Sequence, residues 1–346
     1  MLIQALHDVV SEPATAVSLK NGNLSNKWGS NFVPVGSRIC HNYWGIFNYQ
    51  SHSLRIFLSF SQFSFIQRII SPIFAQIYMH MFKDKVIAIT GGSEGIGKAL
   101  ALEFLSRGAK VATCGRNSAK LANLEGLCNS SSLFTVVADV SKNDDCKNFI
   151  DLTIQKFGGI DILINNAGIS MRALFKDTDL TTLKNVMDIN FWGSVYCTKY
   201  ALDSVIQRKG SIVSVSSVAG FRGMPGRSGY SASKFALNGW MEALRTELLD
   251  SGVNVLWVCP GFTTSNIRNV ALNQLAQPQG ESPMDEGKLM SAEECAQHII
   301  KAIEKRKRTL VLTFTGKQAV FMNKFFPSLS DKLVRNFFFK NGKLIK

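Results

Sequence analysis

From Lys85 to Thr313 the chain alternates short apolar runs with longer stretches of helical period, and this rhythm restricts the fold more than any other property of the sequence. The runs are Val86 to Thr90, Lys110 to Cys114, Leu133 to Ala138, Asp161 to Asn165, Ser211 to Ser216, Asn254 to Cys259 and Thr309 to Thr313. A short apolar run without polar alternation suits a strand buried on both faces. Strands separated by helix-length segments form βαβ units around a parallel sheet. The expected class is α/β, with a parallel sheet flanked by helices. Between the first two runs, Ile96, Leu100, Ala101, Phe104 and Leu105 fall on one helical face, and Gly108 marks a stop. Tyr230 to Ser251 is a second predicted helix, with Phe235, Leu237, Trp240, Leu244 and Leu248 on its apolar side.

The pattern has a sharp beginning. Residues 1–80 hold four of the five histidines, few acids and no sustained period, whereas Met81 to Lys85 leads straight into the first apolar run. Two readings stand for residues 1–80. They form a poorly structured extension that touches a membrane or a partner, or they are not normally made and Met81 is the native start, which the methionine at the compositional break favours. Leu54 to Tyr78 is interrupted by Arg55, Gln62, Gln67, Arg68 and Pro72, so it is a poor membrane span. Residues 81–315 are the expected catalytic domain, and residues 316–346 a basic, Phe-rich appendage.

Composition narrows the classes of partner. With 346 residues, 46% hydrophobic and 18% charged, the chain has enough apolar material for a large core. The net charge of +14 is compatible with an anionic cofactor or a membrane surface. Nucleic acid is set aside because no binding motif accompanies the charge. The seven cysteines are scattered without a CxxC pair, which suggests neither a disulfide framework nor a metal site and fits a reducing, cytoplasmic setting.

Two groups of residues carry chemistry. After the first run come Thr90, Gly91, Gly92, Ser93, Glu94, Gly95, Ile96 and Gly97, with glycines where a backbone turns sharply to meet a pyrophosphate at a helix N-terminus. The second run ends in Cys114, Gly115, Arg116 and Asn117. An arginine without a carboxylate at that point suits a 2′-phosphate, so NADP(H) is preferred over NAD(H). Asp139 after the third run suits the adenine edge, and Asn165, Asn166, Ala167 and Gly168 after the fourth suit a pocket wall; both also suit ordinary turns. The second group is Ser217, Tyr230 and Lys234. An ammonium four residues beyond a phenol lies on the same helical face and favours the phenolate, whereas a serine hydroxyl can bond a substrate oxygen whose charge changes.

Taken in order, these motifs resemble the short-chain dehydrogenase/reductase (SDR) family from about Met81 to Thr313. The match comprises TGxxxGxG at Thr90 to Gly97, Asp139 with Val140, NNAG at Asn165 to Gly168, Asn190, Ser217, YxxxK at Tyr230 and Lys234, and PG at Pro260 and Gly261. The resemblance implies a single Rossmann-like, doubly wound domain with a seven-stranded parallel sheet, a number that agrees with the seven runs. It also implies an NADP(H)-dependent oxidoreductase interconverting a ketone or aldehyde and an alcohol. Tyr230 is then the general acid/base, Lys234 lowers its pKa and binds the nicotinamide ribose, Ser217 orients the substrate and Asn190 holds a relay water. Gly91, Ser93, Gly95, Ile96, Gly97, Arg116, Asp139, Asn166, Gly168, Pro260 and Gly261 complete the implied cofactor site. Ser265 stands where many members have threonine. The family also implies a homo-oligomer.

Two rivals use the same residues. Gly91 to Gly95 reads GxSxG, a nucleophile-elbow pattern, with His298 downstream. That hydrolase reading is weak in context, because His298 falls inside a predicted helix from Ala292 to Lys305. A non-catalytic NADP-binding sensor on the same fold is the other, although such a protein has no need of both Tyr230 and Lys234. Substrate contacts are expected from Phe262 to Met290, Met171 to Phe175 and Phe221 to Pro225. Their Met, Phe and Leu content favours an apolar, lipid- or steroid-like molecule, with Arg172, Arg222 and Arg268 available for an anionic head. The phenylalanines and lysines of residues 316–346 suit a peripheral membrane contact or packing against a protein core.

Overall fold

In the computed structural model, residues 45–49, 52–56, 81–128 and 131–345 are described. The chain divides into two units, Met1–Arg68 and Ile69–Lys346. In the first, β1 (Gly45–Tyr49) and β2 (His52–Ile56) pair antiparallel, a pairing that the reading of residues 1–80 did not anticipate. The other expectations for residues 1–80 lie outside the described residues.

The second unit carries the predicted sheet. Its strands are β3 (Val86–Thr90), β4 (Lys110–Gly115), β5 (Leu133–Val137), β6 (Ile162–Asn165), β7 (Ser211–Val215), β8 (Asn254–Cys259) and β9 (Thr309–Val311). All pairings are parallel, in the order β5-β4-β3-β6-β7-β8-β9. The order reverses between β3 and β6, and such a switch point opens a crevice beyond the carboxyl ends of the strands. Strand β3 is buried at every position, and apolar at all but Thr90, because neighbours and helices cover both of its faces.

Helices α1 (Gly95–Ser106), α2 (Ser118–Cys128), α3 (Asn143–Phe157), α4 (Leu180–Met187), α5 (Gly193–Gln207), α6 (Ser228–Glu247) and α7 (Ala292–Glu304) follow in chain order. Leu100, Ala101 and Phe104 of α1 pack with Ile299, Ile300 and Ile303 of α7 in one core cluster. Helix α7 starts where the Ser291 hydroxyl accepts the Glu294 N–H, a local bond that fixes its first turn. Across the sheet, Phe149 and Ile150 of α3, Cys197, Ala201 and Val205 of α5, and Leu237 and Met241 of α6 form the second cluster. The core therefore lies in two layers around one sheet. Phe235 departs from the apolar face expected for α6, being 46% exposed, while Asn238 on that helix is buried. Asn238 donates to the Gly220 carbonyl, which gives the amide a buried partner and leaves Phe235 on the outer side.

At the amino ends of the strands, away from the crevice, buried Asp161 binds Lys85 at 3.0 Å, Arg208 at 2.9 Å and the Val86 N–H at 2.9 Å. Beyond β9 the chain forms α8 (Phe314–Phe325), α9 (Pro327–Phe338) and a small pair, β10 (Phe339–Lys340) with β11 (Lys343–Leu344).

Candidate active site

A cavity of about 850 Å³ occupies the crevice. One end is made of backbone. Gly91 turns at φ +70°, a left-handed conformation that side chains with a Cβ rarely adopt. Gly97 has no room for a side chain: a Cβ there would stand 2.2 Å from the Gly91 carbonyl oxygen and 2.4 Å from the Asn166 amide nitrogen. Asn166 holds this arrangement by donating to the Thr90 and Gly91 carbonyls, each at 3.0 Å. The Thr90 hydroxyl accepts the N–H groups of Asn166 and Ala167. Helix α1 begins at this turn without a side-chain cap, so its first amides remain donors toward the cavity. This cradle fits the pyrophosphate of a dinucleotide.

Gly91, Ser93, Gly95, Ile96, Arg116, Asp139, Asn166, Gly168, Pro260 and Gly261 all line the cavity or its edge. Arg116 is exposed just past β4. One Asp139 oxygen accepts from the N–H and hydroxyl of Ser141, a local turn that orients the carboxylate. Gly97 lies behind the lining, where it permits the close turn. Ser265 also borders the cavity, and its Cβ is 3.4 Å from the Cβ position at Gly95.

The other end brings Ser217, Tyr230 and Lys234 together on the cavity wall. Ser217 follows β7, while Tyr230 and Lys234 lie on the first turns of α6. Burial raises the Tyr230 pKa, and it outweighs the lowering effects of the Ser217 side chain and of Arg227 and Arg268. The Lys234 ammonium donates to the Val215 carbonyl at 2.8 Å and lies 5.7 Å from the phenol ring centre. Burial pulls its pKa down to about 8. Ser217, Arg227 and Arg268 are further groups that favour the phenolate.

Asn190 is wholly buried in a single π-helical turn, Asp188–Trp192, between α4 and α5. Its amide donates to the Ile169 carbonyl and the Ser233 hydroxyl, both at 2.9 Å, and accepts the Ile169 N–H at 2.8 Å. The side chain is therefore occupied in joining the loop after NNAG to α6. His298 sits on α7 with its nearest carboxylate, Glu294, at 3.8 Å. Among the described residues Ser93 has no histidine partner, which leaves the elbow pattern without its base.

Several cavity residues carried no sequence signal. Thr313 caps α8 at φ +63°, a strained conformation for a β-branched residue, and its hydroxyl would be 2.5 Å from a Cβ at Gly261. Met322, Leu333, Val334, Phe337 and Phe338 of α8 and α9 wall the same end, so the segment read as an appendage borders the site.

Residues 85–275 match the family model described as short chain dehydrogenase. The chain is 37% identical over 260 residues to the Arabidopsis thaliana protein named 11-beta-hydroxysteroid dehydrogenase 1A, covering 71% of this chain and 72% of that one. It is 34% identical over 283 residues to the Mus musculus protein named dehydrogenase/reductase SDR family member 7B, covering 80% and 85%. In fold it resembles a short chain dehydrogenase/reductase from Burkholderia phymatum in complex with NAD, at TM-score 0.65 and 22% identity over 72% of this chain and 95% of the other. The chain thus belongs to the short-chain dehydrogenase/reductase family, and it is an oxidoreductase with a nucleotide-binding Rossmann-like fold.

Proposed function

We propose that the protein is an NADP(H)-dependent reductase or dehydrogenase that interconverts a ketone or aldehyde and an alcohol on an apolar, steroid- or lipid-like molecule. The observation that carries this reading is the convergence of Ser217, Tyr230 and Lys234 at the far end of a cavity that begins in the glycine cradle. The nicotinamide, when bound, supplies or accepts the hydride. Gly91, Ser93, Gly95, Ile96, Gly97, Asp139, Asn166 and Gly168 would hold the dinucleotide, with Pro260 and Gly261 near its reacting end. Exposed Arg116 supports NADP(H), because a guanidinium suits a 2′-phosphate better than a hydroxyl.

In the reducing direction the Tyr230 hydroxyl gives its proton to the carbonyl oxygen, and the Ser217 hydroxyl hydrogen-bonds that oxygen as negative charge grows on it. The raised Tyr230 pKa keeps the phenol protonated at neutral pH, as a proton donor requires. Lys234, charged below about pH 8, supports the proton's departure and the cofactor ribose. Asn190 positions Ile169 and Ser233 through its side chain, so any relay water at this position falls to its main chain. The intact tyrosine and lysine argue against a purely sensory role.

The apolar residues of α8 and α9 support the substrate class, since Leu333 and Phe337 border the cavity and yet are 52% and 40% exposed. Beside them Phe321, Phe325, Phe326 and Leu329 are also exposed, interspersed with Lys317, Lys324, Lys332 and Arg335. Such a surface suits peripheral contact with an anionic membrane from the cytoplasmic side, and no helix among the described residues is long and apolar enough to cross one. A homo-oligomer completes the proposal.

NADPH oxidation against a panel of steroid and long-chain ketones tests the chemistry. Turnover by the wild-type protein and none by Tyr230→Phe is expected; equal rates would refute the tyrosine assignment. Flotation with vesicles containing phosphatidylserine tests the surface, with Phe321→Ser/Phe325→Ser/Phe326→Ser expected to release the protein.

A further inference from the structure

Arg222, Arg227 and Arg268 line the substrate end and the charge of Arg172 also reaches Arg227; of these four, three already have carboxylates. Arg172 pairs with Glu281 at 3.3 Å, Arg222 with Asp331 at 2.6 Å, and Arg268 with Glu286 through both of its oxygens. These are the three that the sequence offered for an anionic head. Arg227, which no motif marked, is different. It is only 8% exposed, lines the cavity and stands three residues before Tyr230 as the N-terminal flanking residue of α6. Its Nε is enclosed without a hydrogen-bond acceptor. Among the described residues no carboxylate or carbonyl meets its guanidinium, whose recorded neighbour is the Phe338 ring at 5.6 Å.

A buried guanidinium needs a counter-charge or several acceptors to offset its lost hydration. The glycine cradle provides phosphate donors on another wall. Arg227 instead shares its surroundings with the C-terminal segment: a Cβ at neighbouring Gly226 would lie 2.5 Å from the Leu344 side chain. We infer that Arg227 is a specificity-determining residue that binds an anionic group, carboxylate or phosphate, carried by the substrate. The apolar body then lies along α8 and α9. Arg227 lines the same cavity as Tyr230 and flanks the first turn of the helix that carries it, so the anion belongs at the end of the substrate that holds the reacting carbonyl. Burial also depresses the Arg227 pKa, and the like charges of Arg268 and Arg172 act in the same direction, as expected where a cationic pocket awaits an anion.

This inference rests on the proposed carbonyl chemistry, and binding separates the two. Calorimetry on full-length Tyr230→Phe protein with NADP⁺ would compare 4-oxodecanoate, its methyl ester and 2-oxodecyl phosphate. One of the two anions is expected to bind roughly tenfold tighter than the ester or better, the scale of a charged hydrogen-bonded contact, and the better anion names the group. Arg227→Met should remove that preference and Arg227→Lys restore part of it. Equal affinity for all three ligands before any change at Arg227 overturns the inference, as does a preference that survives Arg227→Met in protein with an unchanged circular dichroism spectrum. Failure of the carbonyl chemistry alone would appear as charge-selective binding without turnover of the same ketones by the wild-type protein.

Discussion

The two ends of the cavity are built in different ways. The glycine end uses main chain: a turn at Gly91, a contact at Gly97 too close for any Cβ, and an uncapped helix terminus, all tied by Asn166 and Thr90. The tyrosine end uses side chains from the ends of β7 and β9, from α6, and from α8 and α9. The first end is intolerant and general, as a shared cofactor demands. The second is adjustable, because a side chain can change without moving the backbone that carries it.

The comparison is open to attack at several points. The largest expected effect is at the tyrosine end, where Tyr230→Phe should lower kcat by about 10²–10⁴-fold, the usual worth of a positioned proton donor, while leaving NADPH affinity unchanged. A fluorescence titration showing lost NADPH binding would mean that the two ends are not separable. At the glycine end, Gly97→Ala should weaken NADPH by about a hundredfold or prevent folding, because the new methyl meets a carbonyl that is itself pinned. Arg116→Ala is milder. It should reduce the preference for NADPH over NADH by about tenfold, one charge-assisted contact, in kcat/KM for the two cofactors.

A pH effect follows at the boundary between the ends. Lys234 has its pKa lowered to about 8, so its charge is present below that value and lost as pH rises through it. The rate of ketone reduction should therefore fall above about pH 8, and Lys234→Arg, which stays charged, should move the fall upward if any activity remains. The smallest effect is expected from Leu333→Ala at the cavity mouth. Its half-exposed side chain should raise KM a few-fold at unchanged kcat, since only part of a Leu's transfer free energy of about 1.5–3 kcal/mol is at stake.

What was legible in advance follows the same division. Six of the seven strands lie within the predicted apolar runs and β4 overruns its own by one residue, Gly115, because burial on both faces leaves a continuous signal. The glycine turn and the YxxxK pair were also readable, since each is local in sequence. Phe235 was misplaced because a helical period does not say that Asn238 finds a buried carbonyl and takes the inner side instead. Arg227 and Thr313 could not be found, for their roles arise from segments far apart in the chain. The spacing could not show that Lys234 would turn toward Val215, because an i,i+4 pair shares a face without having to touch.

The π-helical turn at Asp188–Trp192 has a consequence for how this protein can vary. A turn that closes i to i+5 contains one residue more than an α-turn, so removing a single residue there would restore regular helix. Because the wider turn absorbs its extra residue locally, Cys197, Ala201 and Val205 of α5 would keep their buried faces after such a deletion, whereas the bulge that carries Asn190 would be lost. The extra residue therefore serves Asn190 and not the packing of α5: its removal should spare the fold and unmake the bridge from Ile169 to Ser233.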